Sequence, residues 1–176
     1  DSIDVYNNIF VKGQASGAVL SDITTDTGSV YGVRFVNNTV SDWHYLVRNG
    51  HSTGTGRFTI INNILSNVSS VMDGADANAY LNWNVYDNVT SFGGGTPSMG
   101  VDTIMRDPVI VSLDFDHASF GKLGDESPCI GLGKDSLHVV NGEAVSFTPN
   151  VDFYSLPREG GNDIGACQYD PLGEIG

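Results

Sequence analysis

The densest supply of chemically active side chains is the stretch WHYLVRNGH, which holds Trp43, His44, Tyr45, Arg48 and His51 within nine residues. Sugar rings stack on aromatic faces and hydrogen-bond to neighbouring polar groups, so these five form a candidate carbohydrate contact. A polysaccharide lyase must neutralise a uronate carboxylate with Arg or a metal, then remove the adjacent proton with Lys, His or Tyr. The same stretch supplies Arg, His and Tyr. The competing structural reading is that Trp43 and Tyr45 cover an apolar flank beneath a loop. His44 and His51 lack a third His or Cys at useful spacing, which argues against zinc.

Glycoside hydrolysis needs two carboxyl groups facing one cleft. The chain has no Glu before Glu126, so both would have to be Asp, drawn from Asp22, Asp26, Asp73, Asp76 and Asp87. Loop aspartates are mostly turn formers, and no pair among these is marked out. The segment DGADAN sets Asp73, Asp76 and Asn78 close enough to offer oxygens to calcium, though without the longer EF-hand pattern. Calcium is therefore the only cofactor for which a candidate exists. Catalytic residues are not identifiable from the sequence.

The elements that must carry these residues are strands. All six prolines lie after residue 96, so residues 1–92 are free to be sheet throughout. A short pattern recurs in that half: VYNNIF around Asn8, FVNNTV around Asn38, IINNIL around Asn63 and LNWNVY around Asn84, at intervals of 30, 25 and 21 residues. Each is a β-branched or aromatic run broken by Asn, and repeats of this length signal a solenoid. Stacked at strand spacing, residues at the same offset become lateral neighbours. Asn8, Asn38, Asn63 and Asn84 are then expected to form an asparagine ladder at an inward turn, each amide bonding the next. Val5, Phe35, Ile60 and Leu81 fall in one apolar column and Ile9, Thr39, Ile64 and Val85 in another. The alignment also sets Asp4 beside Arg34 and Lys12 beside Asp42, opposite charges that favour the register.

A length of 176 residues suits one domain, and 40% apolar residues suffice for a core. The formal net charge of −13 argues against unaided binding to nucleic acid. No apolar run approaches a membrane span. The expected organisation is residues 1–92 as coils, with 93–176 as the last coil and closing cap of the same domain.

From residue 102 onward the stretches DTIMRDPVIV, DFDHASFGKLGDESPCIGLG and VDFYSLPREGGNDIGACQYD resemble the C-terminal closing segment of right-handed parallel β-helix proteins of the pectate-lyase-like superfamily. The resemblance implies an all-β right-handed parallel β-helix, a solenoid, with an irregular C-terminal cap. It also implies a secreted or cell-surface protein that binds or degrades polysaccharide, as a lyase or a glycosidase, with a glycan as partner. In such a setting Cys129 and Cys167, which sit in two closing stretches, could form a disulfide; two small buried thiols are the alternative. If the chain is the C-terminal part of a larger enzyme, the catalytic residues belong to upstream coils. The alternative function is a non-catalytic structural or adhesive module that self-associates through its open N-terminal coil edge, covered by upstream coils or by a second chain.

Overall fold

The structure, a computed structural model, describes residues 2–12, 16–21, 32–48, 57–73, 78–93, 98–99, 102–134, 137–140, 143–146, 148–158 and 161–171. Among these the fold is all-β with no helix. The strands are β1 Ser2–Tyr6, β2 Ile9–Val11, β3 Ala18–Ser21, β4 Gly32–Val36, β5 Thr39–Arg48, β6 Arg57–Ile61, β7 Ile64–Asp73, β8 Asn78–Asn82, β9 Val85–Asp87, β10 Ser98–Met99, β11 Ile104–Met105, β12 Leu137–Val140 and β13 Glu143–Ser146.

Two parallel sheets take strands alternately along the chain. One runs β1-β4-β6-β8-β10; the other runs β11-β9-β7-β5-β2, with β3 also on β5. Strands β12 and β13 form a separate antiparallel pair. Successive repeats therefore lie side by side in register: Asp4, Arg34, Thr59 and Tyr80 in one row, and Val5, Phe35, Ile60 and Leu81 in the next. On the second sheet Ile9, Thr39, Ile64, Val85 and Ile104 align. Asp4 and Arg34 form a bidentate ion pair. Lys12 and Asp42 do not; the Asp42 carboxylate instead accepts a hydrogen bond from Ser41 Oγ at 3.2 Å.

Two columns of left-handed residues let each repeat turn. Asn7, Asn37, Asn62 and Trp83 have φ of 55°, 53°, 57° and 47°, each just before the asparagine of the repeat. Lys12, Asp42, Asn67 and Asn88 have φ of 56°, 61°, 52° and 51°, bending β5 and β7 within their length. Asn and Asp tolerate this conformation better than other non-glycine residues, so their abundance at these offsets is a backbone requirement. At the least suitable residue, Trp83, the backbone N–H is held by Asn82 Oδ1 at 3.0 Å.

The main core lies between the sheets, with Phe35, Val40, Leu46, Ile60, Leu65 and Leu81 all fully buried. A second cluster joins Ile64 and Val85 to Leu123, Cys129 and Ile164 of the C-terminal segment. The Ile9, Thr39, Ile64, Val85 row thus lies beneath the C-terminal segment. That segment runs mostly without regular strands, including the DIGA stretch at 163–166.

Candidate functional site

The corner joining the two sheets carries the most ordered polar array. Asn38 donates its backbone N–H to Asn63 Oδ1 at 2.8 Å and its Nδ2 to the same oxygen at 3.2 Å. Asn63 does the same to Asn84 Oδ1 at 2.8 and 3.0 Å, and Asn8 to Asn38 Oδ1 at 2.9 and 3.1 Å. The amides also reach back: Asn38 Nδ2 donates to Val5 O, Asn63 Nδ2 to Phe35 O and Asn84 Nδ2 to Ile60 O. Asn38, Asn63 and Asn84 are fully buried, so these bonds satisfy groups that would otherwise be costly to bury.

The preceding asparagines hold the C-terminal segment. Asn37 Nδ2 donates to Asp163 O at 2.9 Å and Gly165 O at 3.3 Å. Asn62 donates to Lys134 O at 2.7 Å and accepts from Lys134 N at 3.1 Å. The Arg158 guanidinium donates to Asn7 Oδ1, Gly165 O and Ala166 O, each at 3.0 Å. Asp152 accepts backbone N–H bonds from Tyr154, Leu156 and Gln168, all at 2.8 Å. Asp163 accepts from Gly131 and Tyr169, and burial raises its carboxyl pKa against the pull of those bonds and of Arg158. Burial likewise lowers the Arg158 pKa. This buried polar network fastens the closing segment to the corner.

The WHYLVRNGH stretch falls on the second half of β5. Trp43 is half-buried against the main core, and its indole N–H is buried without a partner among the described residues. His44 and Tyr45 are half-buried, with ring centroids 4.3 Å apart in an edge contact. Arg48 is exposed and pairs in register with Asp73, its Nε 3.6 Å from Asp73 Oδ2. The structure therefore brings Arg48 and Asp73 together, although sequence reasoning gave them to different ligands. His51 and Asp76 lie outside the described residues, and Asn78 is described only as the first residue of β8. Among the described residues no group of three His, Cys, Asp or Glu side chains could hold a metal.

Cys129 and Cys167 are both buried free thiols. Burial pushes each thiol up to about 12. Sequence reasoning also passed over an aromatic run on the C-terminal segment. Phe115, Phe120, Phe153 and Tyr154 contact in series at centroid distances of 5.5, 6.1 and 5.1 Å. Lys122 Nζ lies 5.5 Å from the Tyr154 ring centroid. Phe115 is 77% exposed. The signal available in the sequence was the spacing of aromatics between residues 115 and 154, which has no regular period to mark it.

Compared with protein-family models, curated proteins and solved structures, the chain matches none.

Proposed function

We propose that the chain is a right-handed parallel β-helix of the pectate-lyase-like kind, from an exported or cell-surface protein, and that it binds polysaccharide along the flank carrying His44, Tyr45 and Arg48. The alternating parallel sheets, the in-register rows and the two turn columns support the solenoid reading. The closing-segment resemblance supports the pectate-lyase-like assignment. One observation carries the binding site: on a single strand, the half-buried His44–Tyr45 ring pair stands three residues from the exposed Arg48–Asp73 ion pair. Aromatic edge, imidazole, guanidinium and carboxylate together suit the mixed apolar and hydroxylated surface of a sugar.

The test is a glycan array followed by titration of any captured polysaccharide, with calcium and with EDTA. Binding should weaken at least tenfold in both Tyr45→Ala and Arg48→Ala, with a smaller loss of melting temperature than Trp43→Ala shows. Unsaturated product would add lyase activity to the reading, and new reducing ends would add hydrolysis. Failure of every glycan to bind, or binding by both variants as tight as that of the wild type, would remove this flank as the site.

A further inference from the structure

Residues 109–112 and 120–124 of the closing segment run together as a ribbon with one face on the core and the other bare. Val111 N–H donates to Lys122 O at 2.9 Å, Gly124 N–H donates to Val109 O at 2.8 Å, and Ile110 bridges Leu123. Ile110 and Leu123 join the cluster around Ile64 and Val85, whereas Val109 and Val111, on either side of Ile110, are 39% and 53% exposed. The two valines flank Gly124, where a Cβ would lie 3.1 Å from Val109 Cγ1 and 4.0 Å from Val111 Cγ2. The loop that closes the ribbon sets the exposed Phe115 ring 5.5 Å from that of Phe120. Local bonds hold it there: Ser112 Oγ and Asp114 Oδ1 accept the N–H groups of Asp114 and Asp116, and His117 O accepts that of Phe120. Val109 has φ of 52°, a conformation that β-branched residues rarely adopt. Asp107 Oδ1 accepts its N–H at 2.8 Å, and Ser127 Oγ donates to the carbonyl of Pro108 just before it. Strain of this kind persists only where the surroundings impose it, and it collects at functional positions. The strained side chain is exposed, so burial within the chain does not account for it.

We infer that this face docks a basic polypeptide segment that carries apolar side chains. Charge selects the occupant. From Arg106 to Glu126 the chain carries the exposed carboxylates of Asp107, Asp114, Asp116, Asp125 and Glu126 against only Arg106 and Lys122. The Lys122 ammonium lies over the Tyr154 ring. Among the described residues none of these five carboxylates is in an ion pair. Every Lys and Arg of the chain lies among the described residues, and Arg57, the first residue of β6, belongs to the other sheet. Arg and Lys side chains of a partner would pair with the free carboxylates, while its apolar side chains covered Val109, Val111 and Phe115. The same carboxylates repel an anionic glycan, and they repel a second copy of this face. The surface shares no residue with the His44, Tyr45 and Arg48 flank and does not depend on it.

Fluorescence anisotropy of a short labelled peptide of alternating Arg and Leu, titrated with the 176-residue chain, tests this. A peptide of alternating Arg and Ser has the same charge without the apolar side chains, and it should bind at least about tenfold more weakly. Combining Val111→Ser with Phe115→Ser leaves the net charge unchanged and should weaken binding of the Arg–Leu peptide at least about tenfold while the β-sheet circular dichroism is kept. Leu132→Ser, at a residue 49% exposed beside the Lys134 contact to Asn62, should leave binding unchanged. No binding of the Arg–Leu peptide would overturn the proposal. Equal binding of the Arg–Ser peptide would also overturn it, reducing the effect to the attraction of any cation to a chain of net charge −13. Wild-type affinity in the double variant would place the contact elsewhere. Tighter binding of a peptide of alternating Glu and Leu, or self-association that the double variant abolishes, would give the face to an acidic partner or to a second copy and overturn it as well.

Discussion

Asn63 Oδ1 accepts both the backbone N–H of Asn38 at 2.8 Å and its Nδ2 at 3.2 Å, so one amide oxygen closes the corner of the repeat before it. Removing that oxygen orphans the buried Asn38 N–H, while Asn38 Nδ2 keeps Val5 O and Val36 O, and removing Asn63 Nδ2 takes a donor from Phe35 O and Ile61 O as well. Each buried orphan costs roughly 1–3 kcal/mol, so Asn63→Ala should destabilise by about 3–5 kcal/mol in chemical denaturation. Asn8→Ala should cost less than about 1 kcal/mol, because Asn8 is exposed and Asn38 Oδ1 keeps the bond from the Asn8 backbone. Equal losses at the two positions would mean that the ladder does not act through buried amides.

The extent to which the sequence reveals this structure follows from how local each device is. Rows such as Val5, Phe35, Ile60 and Leu81 are legible because strand side chains have period two and the NN pair fixes the offset from one repeat to the next. The left-handed columns are half legible: Asn37 and Asn62 suit the conformation, while Lys12 and Trp83, at the ends of their columns, adopt it beside one neighbouring turn, to which the backbone is bonded through Lys12 N–H to Ser41 O and Asn62 N–H to Asn82 O. Thr39 is buried as its column requires, but the sequence does not show that its hydroxyl accepts the Ala166 N–H at 3.1 Å, a contact 127 residues away in sequence. Trp43 is another case, because nothing local separates an aromatic that stacks on sugar from one that leans on the core. The closing segment has no period at all, so its bonds to Asn37 and Asn62 cannot be inferred from spacing.

Trp43 separates packing from binding. Because it packs on the main core beside its register partner Val68, Trp43→Ala should lower stability by about 2–4 kcal/mol, toward the lower end of the range for a large-to-small core change. Tyr45→Ala should cost less than half as much. Thermal unfolding of the two variants decides it: an unchanged melting temperature in Trp43→Ala would return that ring to the binding surface.

Both thiols should be silent in the native protein. With each pushed up to about 12 by burial, the thiolate fraction at pH 8 is on the order of 10⁻⁴, and the sulfurs are shielded as well. Alkylation without reductant should modify neither cysteine in the folded chain and both in guanidinium. Two unreactive sulfurs in denaturant would instead reveal a Cys129–Cys167 disulfide.

The buried carboxyl of Asp163 ties stability to pH. Its folded pKa lies above the unfolded value because burial disfavours the charge. The folded state therefore binds the proton more tightly, and this contribution is fully present below the unfolded value and lost as pH rises through the folded one. In the window beginning just above the ordinary aspartate range, the melting temperature of the wild type should fall with pH relative to Asp163→Asn, which cannot ionise. The difference between the two curves isolates this residue from the other acids, and a flat difference would place the folded pKa at its ordinary value.

Two glycines separate the cost of a left-handed backbone from the cost of close contact. Gly165 has φ +100°, and a Cβ there would lie 2.5 Å from Ile64 Cδ1 and 3.0 Å from Thr39 Oγ1. Its N–H donates to Asn62 O at 2.8 Å, so the backbone cannot move away without losing that bond. Gly131 has φ +67° and would meet nothing within 4 Å. Gly131→Ala should therefore cost about 1 kcal/mol from conformation alone, and Gly165→Ala about 2–4 kcal/mol from conformation plus overlap. If the closing segment seals the corner as tightly as these distances imply, Gly165→Ala should also speed amide exchange at Ala166, whose N–H is held by Thr39. Equal stability losses with unchanged exchange would mean that the segment lies loosely on the sheet and that the corner is held by the asparagines alone.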